Sequence, residues 1–458
     1  IVYTNNTYCQ AMRGYGNPEV NWAIESNLDE LAEAAGVDAF ELRMRNRNLP
    51  GEITPMGLKV TTCGLTECLE ATAKHLDWPN KRGGRGEGEL RRGVGMASLV
   101  HVGGSGRIYR SDGGGVILKL DDFGNVYVSY GGVEMGQGLH SALSLTVAEA
   151  LGVTPEKVFI NQTDTATCPW DVGTHASRGA FIACNAAILA ARKARTQLFA
   201  FAEQIFAAEA DKALRRHLKK HPDYVAPDFD VAAHVSAEGF ELSDNVLTLR
   251  DAPDEPWLKL DLGRLLRAMH FRGVAGSMVT VEAFYEPPSE LPDWEKGVGN
   301  MSATYAYGTQ GAEVEVDTLT GEVRIVKMVA AHDVGRVLNP QTLAGQTYGA
   351  LAQGIGYALY EQIQTHQGKM LNPSFTDYKL PTVHEMDFPI HLEFVETQDP
   401  AGPFGAKGIG EPGMVPTAPA IANAIYDAVG VRIRDLPITP EKVLAALEAK
   451  RRLTKESP

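Results

Sequence analysis

The sequence predicts an α+β fold, on three observations. Segments with the two-residue alternation of strands intermix with segments of helical periodicity, without the regular strand–helix–strand order of a parallel sheet. Two strand pairs flank short polar turns at 121–124 and 318–321, as antiparallel hairpins do. No motif recurs at a fixed period, which sets aside solenoids and propellers.

Each element follows from its residues. Asn17 to about Asn48 is helical, with Trp22, Ile24, Leu28, Leu31 and Ala35 in one apolar stripe. Gly36 ends the first helix and Asp38 caps a second. The Gly/Arg/Glu-rich stretch Asn80–Glu89 reads as a surface linker and a boundary. Gly115–Lys119 and Asn125–Tyr130 form the first hairpin. Gly138 leads into an amphipathic helix, His140–Leu151, that Gly152 terminates. A strand at Lys157–Asn161 precedes a polar loop to Thr174, and Ala176 to about His221 favours helix almost throughout. Residues 222–300, with prolines at 223, 227, 253, 256, 287, 288 and 292, read as an irregular elaboration, a lid or contact surface. Ala312–Asp317 and Glu322–Ala331 make the second hairpin, and helices follow at about 341–360, 416–429 and 440–451.

Composition narrows the function. The 458 residues carry 43 basic and 57 acidic side chains, a formal charge of −14, with 44% apolar and 22% charged residues, as in ordinary globular chains. This acidic balance argues against nucleic acid as the main partner, because binding its backbone needs a cationic face, and Arg215–Lys220 reads as one solvated helix face. No apolar run is long enough to span a bilayer. Cys9, Cys63, Cys68, Cys168 and Cys184 make no disulfide framework and read as thiols in a reducing cytoplasm. Cys63 and Cys68 have the gap of a plant-type iron–sulfur site without the pair that completes it. There is no C-x₂-C or H-E-x-x-H motif, so no compact protein metal site is expected. Ile1–Tyr3 reads like the middle of a strand, with neither an initiator Met nor a signal-peptide pattern.

Four segments place polar residues between glycines: Gln10–Asn17, Gly132–His140, Ala352–Gly356 and Phe404–Gly413. Gln137 and Gln353 each stand beside glycines at what reads as a helix start, where backbone N–H groups and the helix dipole would suit a phosphate. A tight turn with a solvated amide is the plainer reading of each. Glu411 is followed by Pro412, which restricts its backbone, and on such a loop it could act as a general base if partly desolvated. The plainer reading is a turn carboxylate or a salt bridge to Lys407.

Taken in order, these segments resemble the molybdopterin-binding large subunit of the xanthine oxidase family of molybdenum hydroxylases. Met12-Arg-Gly-Tyr-Gly16 resembles the family's Phe-Arg-Gly-Phe-Gly, and Glu134-Met-Gly-Gln-Gly-Leu-His140 matches as it stands. Gln353-Gly-Ile-Gly356 is similar to Gln-Gly-Leu-Gly, and Lys407-Gly-Ile-Gly-Glu-Pro412 to the catalytic Gly-Glu-Pro loop. His332-Asp-Val-Gly335 and Asn339-Pro340 fall where the family has a similar stretch. The style is nearest to the 4-hydroxybenzoyl-CoA reductase group.

The resemblance implies the α+β fold of the molybdopterin-binding domains, with residues 1–90 ending a first domain and 91–458 forming a second, elaborated at about 205–300. It implies a molybdenum–molybdopterin cofactor, as such or as its cytosine dinucleotide, with the metal held by the pterin dithiolene and by no side chain. Gly136, Gln137, Gly138, Thr174, Ser177, Gln353 and Gly354 would contact it. Arg13 would lie beside the metal and Tyr15 would stack on substrate. Glu411 would be the base in water-derived hydroxylation of an aromatic, heterocyclic or aldehyde carbon, or in reductive dehydroxylation of an aromatic acyl-CoA. Partner subunits would carry [2Fe–2S] clusters and FAD. The family's Gly-Gly-Gly-Phe-Gly-Gly loop is not found, so a further chain would carry the amino-terminal half of the site, or the sequence is a fragment. A second aromatic clamp near 103–110 is reduced to Tyr109. The alternatives are a molybdenum-dependent hydratase on the same scaffold and a non-catalytic scaffold subunit.

Overall fold

The computed structural model describes residue 3 and residues 11–83, 86, 88–271 and 278–456. Ile1, Val2, Cys9 and Gln10, on which the opening strand, one thiol and the first glycine segment draw, lie outside the described residues, as does part of Asn80–Glu89.

Two compact units share the chain. The first comprises Ile1–Gly106, Ala176–Arg178 and Ser289–Pro458, and the second Arg107–His175 and Gly179–Pro288. In the first, a four-stranded sheet runs in the order Leu90–Val102, Tyr305–Asp317, Val323–Asp333, Ile390–Val395. Its first three strands are antiparallel and the last is parallel to its neighbour. The hairpin across 318–321 is as the sequence suggests, but its first strand reaches back to Tyr305. Gly308 and Gly311 interrupt the apolar pattern there, and each makes room for a neighbour: His332 and Leu76, respectively.

The sheet is covered on both faces. Helix Leu65–Leu76 packs on the side of Met96, Tyr307 and Gly311. Helix Thr417–Val429 packs on the opposite side, with Ala312, Val314 and Ala330. Strand Leu90–Val102 and helix Leu65–Leu76 were not legible in the sequence. Gly93 and Gly95 weigh against a strand by propensity, yet the packing requires them. A Cβ on Gly95 would lie 2.1 Å from the backbone nitrogen of Ala424, and one on Gly93 would lie 2.3 Å from that of Ala428. The helix backbone rests directly on the strand.

Local signals at helix ends hold. Helices Asn17–Ala35 and Ala39–Asn46 are separated by Gly36 in the left-handed conformation, and the Asp38 carboxylate accepts from the N–H groups of Phe40 and Glu41. Helix Leu139–Leu151 ends on left-handed Gly152, where a Cβ would lie 1.9 Å from the Leu242 carbonyl oxygen.

In the second unit the sheet order is Val158–Ile160, Val126–Tyr130, Gly114–Leu120, Thr280–Tyr285. The expected hairpin is present, and Asp121 fixes its turn by accepting from the N–H groups of Phe123 and Asn125. Helix Gly179–Lys220 supplies buried Ala183, Ala186, Ala187, Ala190, Ala191 and Ala194 to the core of this unit.

The reading of 222–300 as an irregular lid or contact surface is corrected. Phe240–Ser243, Val246–Leu249 and Leu260–Asp261 form a three-stranded sheet, helix Leu262–Phe271 follows, and Thr280–Tyr285 completes the edge of the larger sheet. Phe240, Leu247, Trp257, Leu262 and Leu265 join the core cluster built on Val116 and Val128. Strands of two to six residues are too short for alternation to register, and Pro253 and Pro256 fall between two of them. Among the described residues, no helix is long and apolar enough to cross a membrane.

The contact of strand with helix gives a test. Gly95→Ala should lower unfolding stability by about 1–3 kcal/mol or more, because backbone rather than a mobile side chain must give way. Gly345→Ala, on an exposed helical position where a Cβ meets nothing within 4 Å, should raise it by about 1 kcal/mol. Equal melting temperatures for the two variants would refute the packing argument.

Candidate active site

The loop carrying Glu411 starts from a buried ion pair. Lys407 Nζ lies 2.6 Å from Asp333 Oδ2, and both side chains are 0% exposed. Asp333 also accepts from Gly64 N at 2.9 Å, Gly335 N at 3.1 Å and Thr397 Oγ1 at 2.7 Å, while Lys407 donates to the Thr62 carbonyl at 3.2 Å. The salt bridge between Lys407 and Glu411 that the sequence allowed is therefore replaced by one to Asp333. Beyond Lys407, Gly408 N donates to the Gly103 carbonyl at 2.6 Å, and a Cβ there would fall 2.0 Å from the Ser177 carbonyl oxygen. Only glycine lets the loop pass.

Glu411 is held by few donors. Its side chain is 15% exposed. Oε2 accepts from Ser177 Oγ at 3.1 Å, and the Glu411 N–H donates to the same hydroxyl at 2.9 Å. Oε1 receives the Gly14 N–H at 3.4 Å, a long contact. His101 Nε2 stands 3.9 Å from Oε2, and its Nδ1–H donates to the Val102 carbonyl at 3.0 Å, leaving Nε2 to face the carboxylate. Among the described residues no Lys or Arg forms an ion pair with Glu411.

Arg13 braces this loop. Its Nε donates to the Gly410 carbonyl, Nη1 to Gln353 Oε1 at 3.1 Å, and Nη2 to Gln346 O at 3.2 Å and Oε1 at 3.3 Å. Burial pushes the guanidinium pKa down, and the Glu411 charge opposes that shift. Tyr15, Ala176 and Ser177 all take positive φ (49°, 48° and 53°), so three non-glycine residues beside this carboxylate sit in the sparsely populated left-handed region. The Tyr15 side chain is 71% exposed and available to stack.

Beneath the loop lies a buried polar relay. Gln310 Nε2 donates to the Gly413 carbonyl at 2.6 Å and to His332 Nε2 at 3.1 Å, and Gln310 Oε1 accepts from Thr417 Oγ1 at 2.7 Å. All three side chains are fully buried. An imidazole that accepts at Nε2 carries its proton on Nδ1, so His332 is neutral here. Burial, aided by the positive charge of Arg13, pushes its pKa down to about 4.

Gln353 is not at a helix start. It lies late in helix Pro340–Leu359, where its oxygen is taken by Arg13 and its NH₂ has no partner among the described residues. Gly354 lets this helix approach Thr417, since a Cβ would be 2.4 Å from the Thr417 Cβ.

In the second unit, Gly136 and Gly138 take positive φ (97° and 83°) just before helix Leu139–Leu151. The N–H groups that the sequence seemed to offer a phosphate are already used. Glu134 accepts from Gly136 N at 2.7 Å, Gly138 N at 3.0 Å and His140 N at 2.9 Å. Burial favours a raised Glu134 pKa, but these three N–H groups outweigh it and hold the carboxyl below its ordinary value. Gln137 donates to the Val133 carbonyl at 2.7 Å and accepts from Met135 N at 2.5 Å. Thr174 Oγ1 accepts from Val133 N at 2.8 Å. A Cβ on Gly136 would meet nothing within 4 Å, so its backbone faces open space.

Of the residues singled out in the sequence, Arg13, Ser177, Gln353 and Glu411 are joined by hydrogen bonds within the first unit, with Tyr15 and Gly354 as chain neighbours. Gly136, Gln137, Gly138 and Thr174 share one loop system in the second. His101, Gln346, Gln310 and Thr417 were missed. Their contacts span hundreds of residues, and no local motif marks them. Within the first unit Gln353 keeps a free amide donor, and within the second Gln137 keeps one unused amide N–H beside the open backbone of Gly136; each is a group of the kind that can hydrogen-bond a polar heterocycle such as a pterin.

The His332 relay predicts acid sensitivity. The folded pKa of about 4 lies below the ordinary 6.5, so from pH 6.5 downwards the unfolded chain takes up a proton that the folded chain refuses. This contribution leaves stability unchanged above pH 6.5 and reduces it progressively as pH falls to about 4. Urea midpoints at pH 7 and pH 5 should therefore differ, and the difference should shrink in His332→Gln. An undiminished difference would remove His332 from the account.

The profile of the molybdopterin cofactor-binding domain family matches residues 71–387, and a second profile of the same description matches residues 1–47. The xanthine dehydrogenase molybdenum-binding subunit of Escherichia coli O157:H7 is 32% identical over 449 residues, covering 96% of this chain and 54% of that subunit. The chain spans about half the length of such curated relatives. Quinoline 2-oxidoreductase from Pseudomonas putida 86 has the same fold, with a TM-score of 0.80 at 23% identity over 96% of this chain and 53% of that one. Aldehyde oxidoreductase from Desulfovibrio desulfuricans gives 0.74 at 29% identity over 95% and 41%.

Proposed function

For this chain, which belongs to the molybdopterin cofactor-binding family as a molybdenum-binding large subunit of the xanthine oxidase type, we propose that Glu411 is the general base of a molybdenum hydroxylase. The reaction would deliver a water-derived hydroxyl to an aromatic, heterocyclic or aldehyde carbon, or run in the reductive sense on an aromatic acyl-CoA. One observation carries the reading: a mostly buried carboxylate, on a loop fixed at both ends, with a hydroxyl, a long N–H contact and a His nitrogen around it and no Lys or Arg ion pair. Such a group can take up a proton without first giving up a strong cationic partner.

The molybdenum–molybdopterin cofactor, when bound, supplies the two-electron redox chemistry. Gly136, Gln137, Gly138, Thr174, Gln353 and Gly354 would contact it. Ser177 orients Oε2 of Glu411, while the Gly14 N–H steadies Oε1. Arg13 ties Gly410 to Gln353, linking the base's loop to an amide that would face the cofactor. Tyr15 would stack on the substrate ring, its hydroxyl adding a polar contact. Residues 1–90 would close the first molybdopterin-binding domain and 91–458 form the second. Iron–sulfur and FAD subunits would carry electrons away.

Glu411→Gln should leave molybdenum and pterin content intact and lower turnover of an aldehyde or N-heterocycle by about 10²–10⁴-fold. Turnover near that of the parent would sink the base assignment. Gln137→Ala should lower the molybdenum retained through purification, measured by elemental analysis, and unchanged content would count against a cofactor contact there.

A further inference from the structure

A second group of metal-ligand side chains lies outside the hydrogen bonds of the active site. His75, His391 and Glu393 each offer one ligand atom, and these atoms all lie within 4.8 Å of one another. The backbone explains the convergence. Ile390–Val395 is the edge strand of the first unit's sheet, so residues 391 and 393, two apart, project from the same face. Helix Leu65–Leu76 packs against that strand, and His75 sits in its last turn. No short motif could have shown this, because the ligands come from distant parts of the chain.

One of the spacings is that of two neighbouring ligands on a single ion. His391 Nε2 and Glu393 Oε2 are 3.4 Å apart, longer than an ordinary N–H···O contact. With metal–ligand bonds of about 2.0–2.2 Å, two ligands on a tetrahedral ion are separated by about 3.3–3.6 Å. The His75 and His391 rings stack with centroids 3.5 Å apart and planes inclined by 24°. Neutral imidazole is the form in which histidine ligates metals. Glu393 supplies the one negative charge. Lys327, whose Nζ donates to the His75 carbonyl at 2.5 Å, and Lys74 oppose a cation and limit the strength of the site.

We propose that His75, His391 and Glu393 form a binding site for a zinc-class divalent ion, with water in the fourth position, that clips the end of helix Leu65–Leu76 to the edge of the sheet. Two imidazoles and one carboxylate select a borderline ion such as Zn²⁺ or Co²⁺ over Mg²⁺, which prefers oxygen ligands. The inference does not rest on the molybdenum reading, since none of the three residues has a part in it.

The purified full-chain protein, in its native complex, would be freed of loosely bound metal with a mild chelator and titrated with Zn²⁺ by calorimetry, with zinc content measured after desalting. The parent should retain about one zinc per chain more than the double variant His75→Ala, His391→Ala. Added Zn²⁺ should raise its melting temperature where the double variant shows no shift, and Mg²⁺ should raise neither. Glu393→Gln, which preserves size and fold, should weaken zinc binding by at least about tenfold. Equal zinc uptake by the parent and the double variant would overturn the proposal. If the double variant loses molybdenum or circular-dichroism signal, Glu393→Gln decides alone, and undiminished affinity there overturns it.

Discussion

The buried pair of Lys407 and Asp333 is the fixed point on which the candidate active site depends. Two full charges are withdrawn from water at a cost that their attraction alone barely offsets, and the arrangement persists because every other donor around Asp333 also contributes. Gly64 N, Gly335 N and Thr397 Oγ1 complete its shell, so one carboxylate joins a helix entry, a strand exit and two loops. Removing either charge would strand the other, a loss of about 3–5 kcal/mol. The segment from Lys407 to Glu411 is short, so the position of the Glu411 carboxylate follows from that of the ion pair.

From this point the site is built in layers. Gln310 uses its amide on three partners at once, Gly413, His332 and Thr417, and so ties the far end of the same loop to the sheet and to helix Thr417–Val429. Arg13 does the same from above, through Gly410, Gln353 and Gln346. Glu411 is thus suspended between braces that each make several hydrogen bonds of their own. Its own carboxylate stays lightly bonded. The left-handed conformations of Tyr15, Ala176 and Ser177 are the local strain that this geometry imposes, and the surrounding hydrogen bonds hold it in place.

What the sequence could show was whatever is local. Asp38, Gly36 and Gly152 mark helix ends through their own backbone and side-chain chemistry, and the turn at Asp121 declares its hairpin. Glu411 was legible because glycines and a proline confine it. Long-range choices were not. Gly93 and Gly95 look like strand breakers until helix Thr417–Val429 is seen lying on them. Lys407 could have paired with Glu411, and only the fold brings Asp333 to it. Ser177 stands in a stretch expected to contact the cofactor, while its hydroxyl is engaged with Glu411. Glu134 drew no role of its own, yet it occupies the donors at the helix start that were offered to a phosphate.

The pairing of strand Leu90–Val102 with Tyr305–Asp317 has a consequence for biosynthesis. At about 5–20 residues per second, a ribosome needs roughly ten to forty seconds to travel from Val102 to Tyr305. Helix Thr417–Val429, which must seat on Gly93 and Gly95, emerges later still. Throughout that interval Val94, Met96 and Leu99 lack their strand partner, and the face that carries Gly93 and Gly95 lacks its covering helix. The second unit, whose segments run from Arg107 to Pro288, can complete itself meanwhile. The nascent chain therefore carries an open, apolar sheet edge beside a finished neighbour, and its yield in a cell should depend on chaperones that shield that edge until the carboxy-terminal segment arrives.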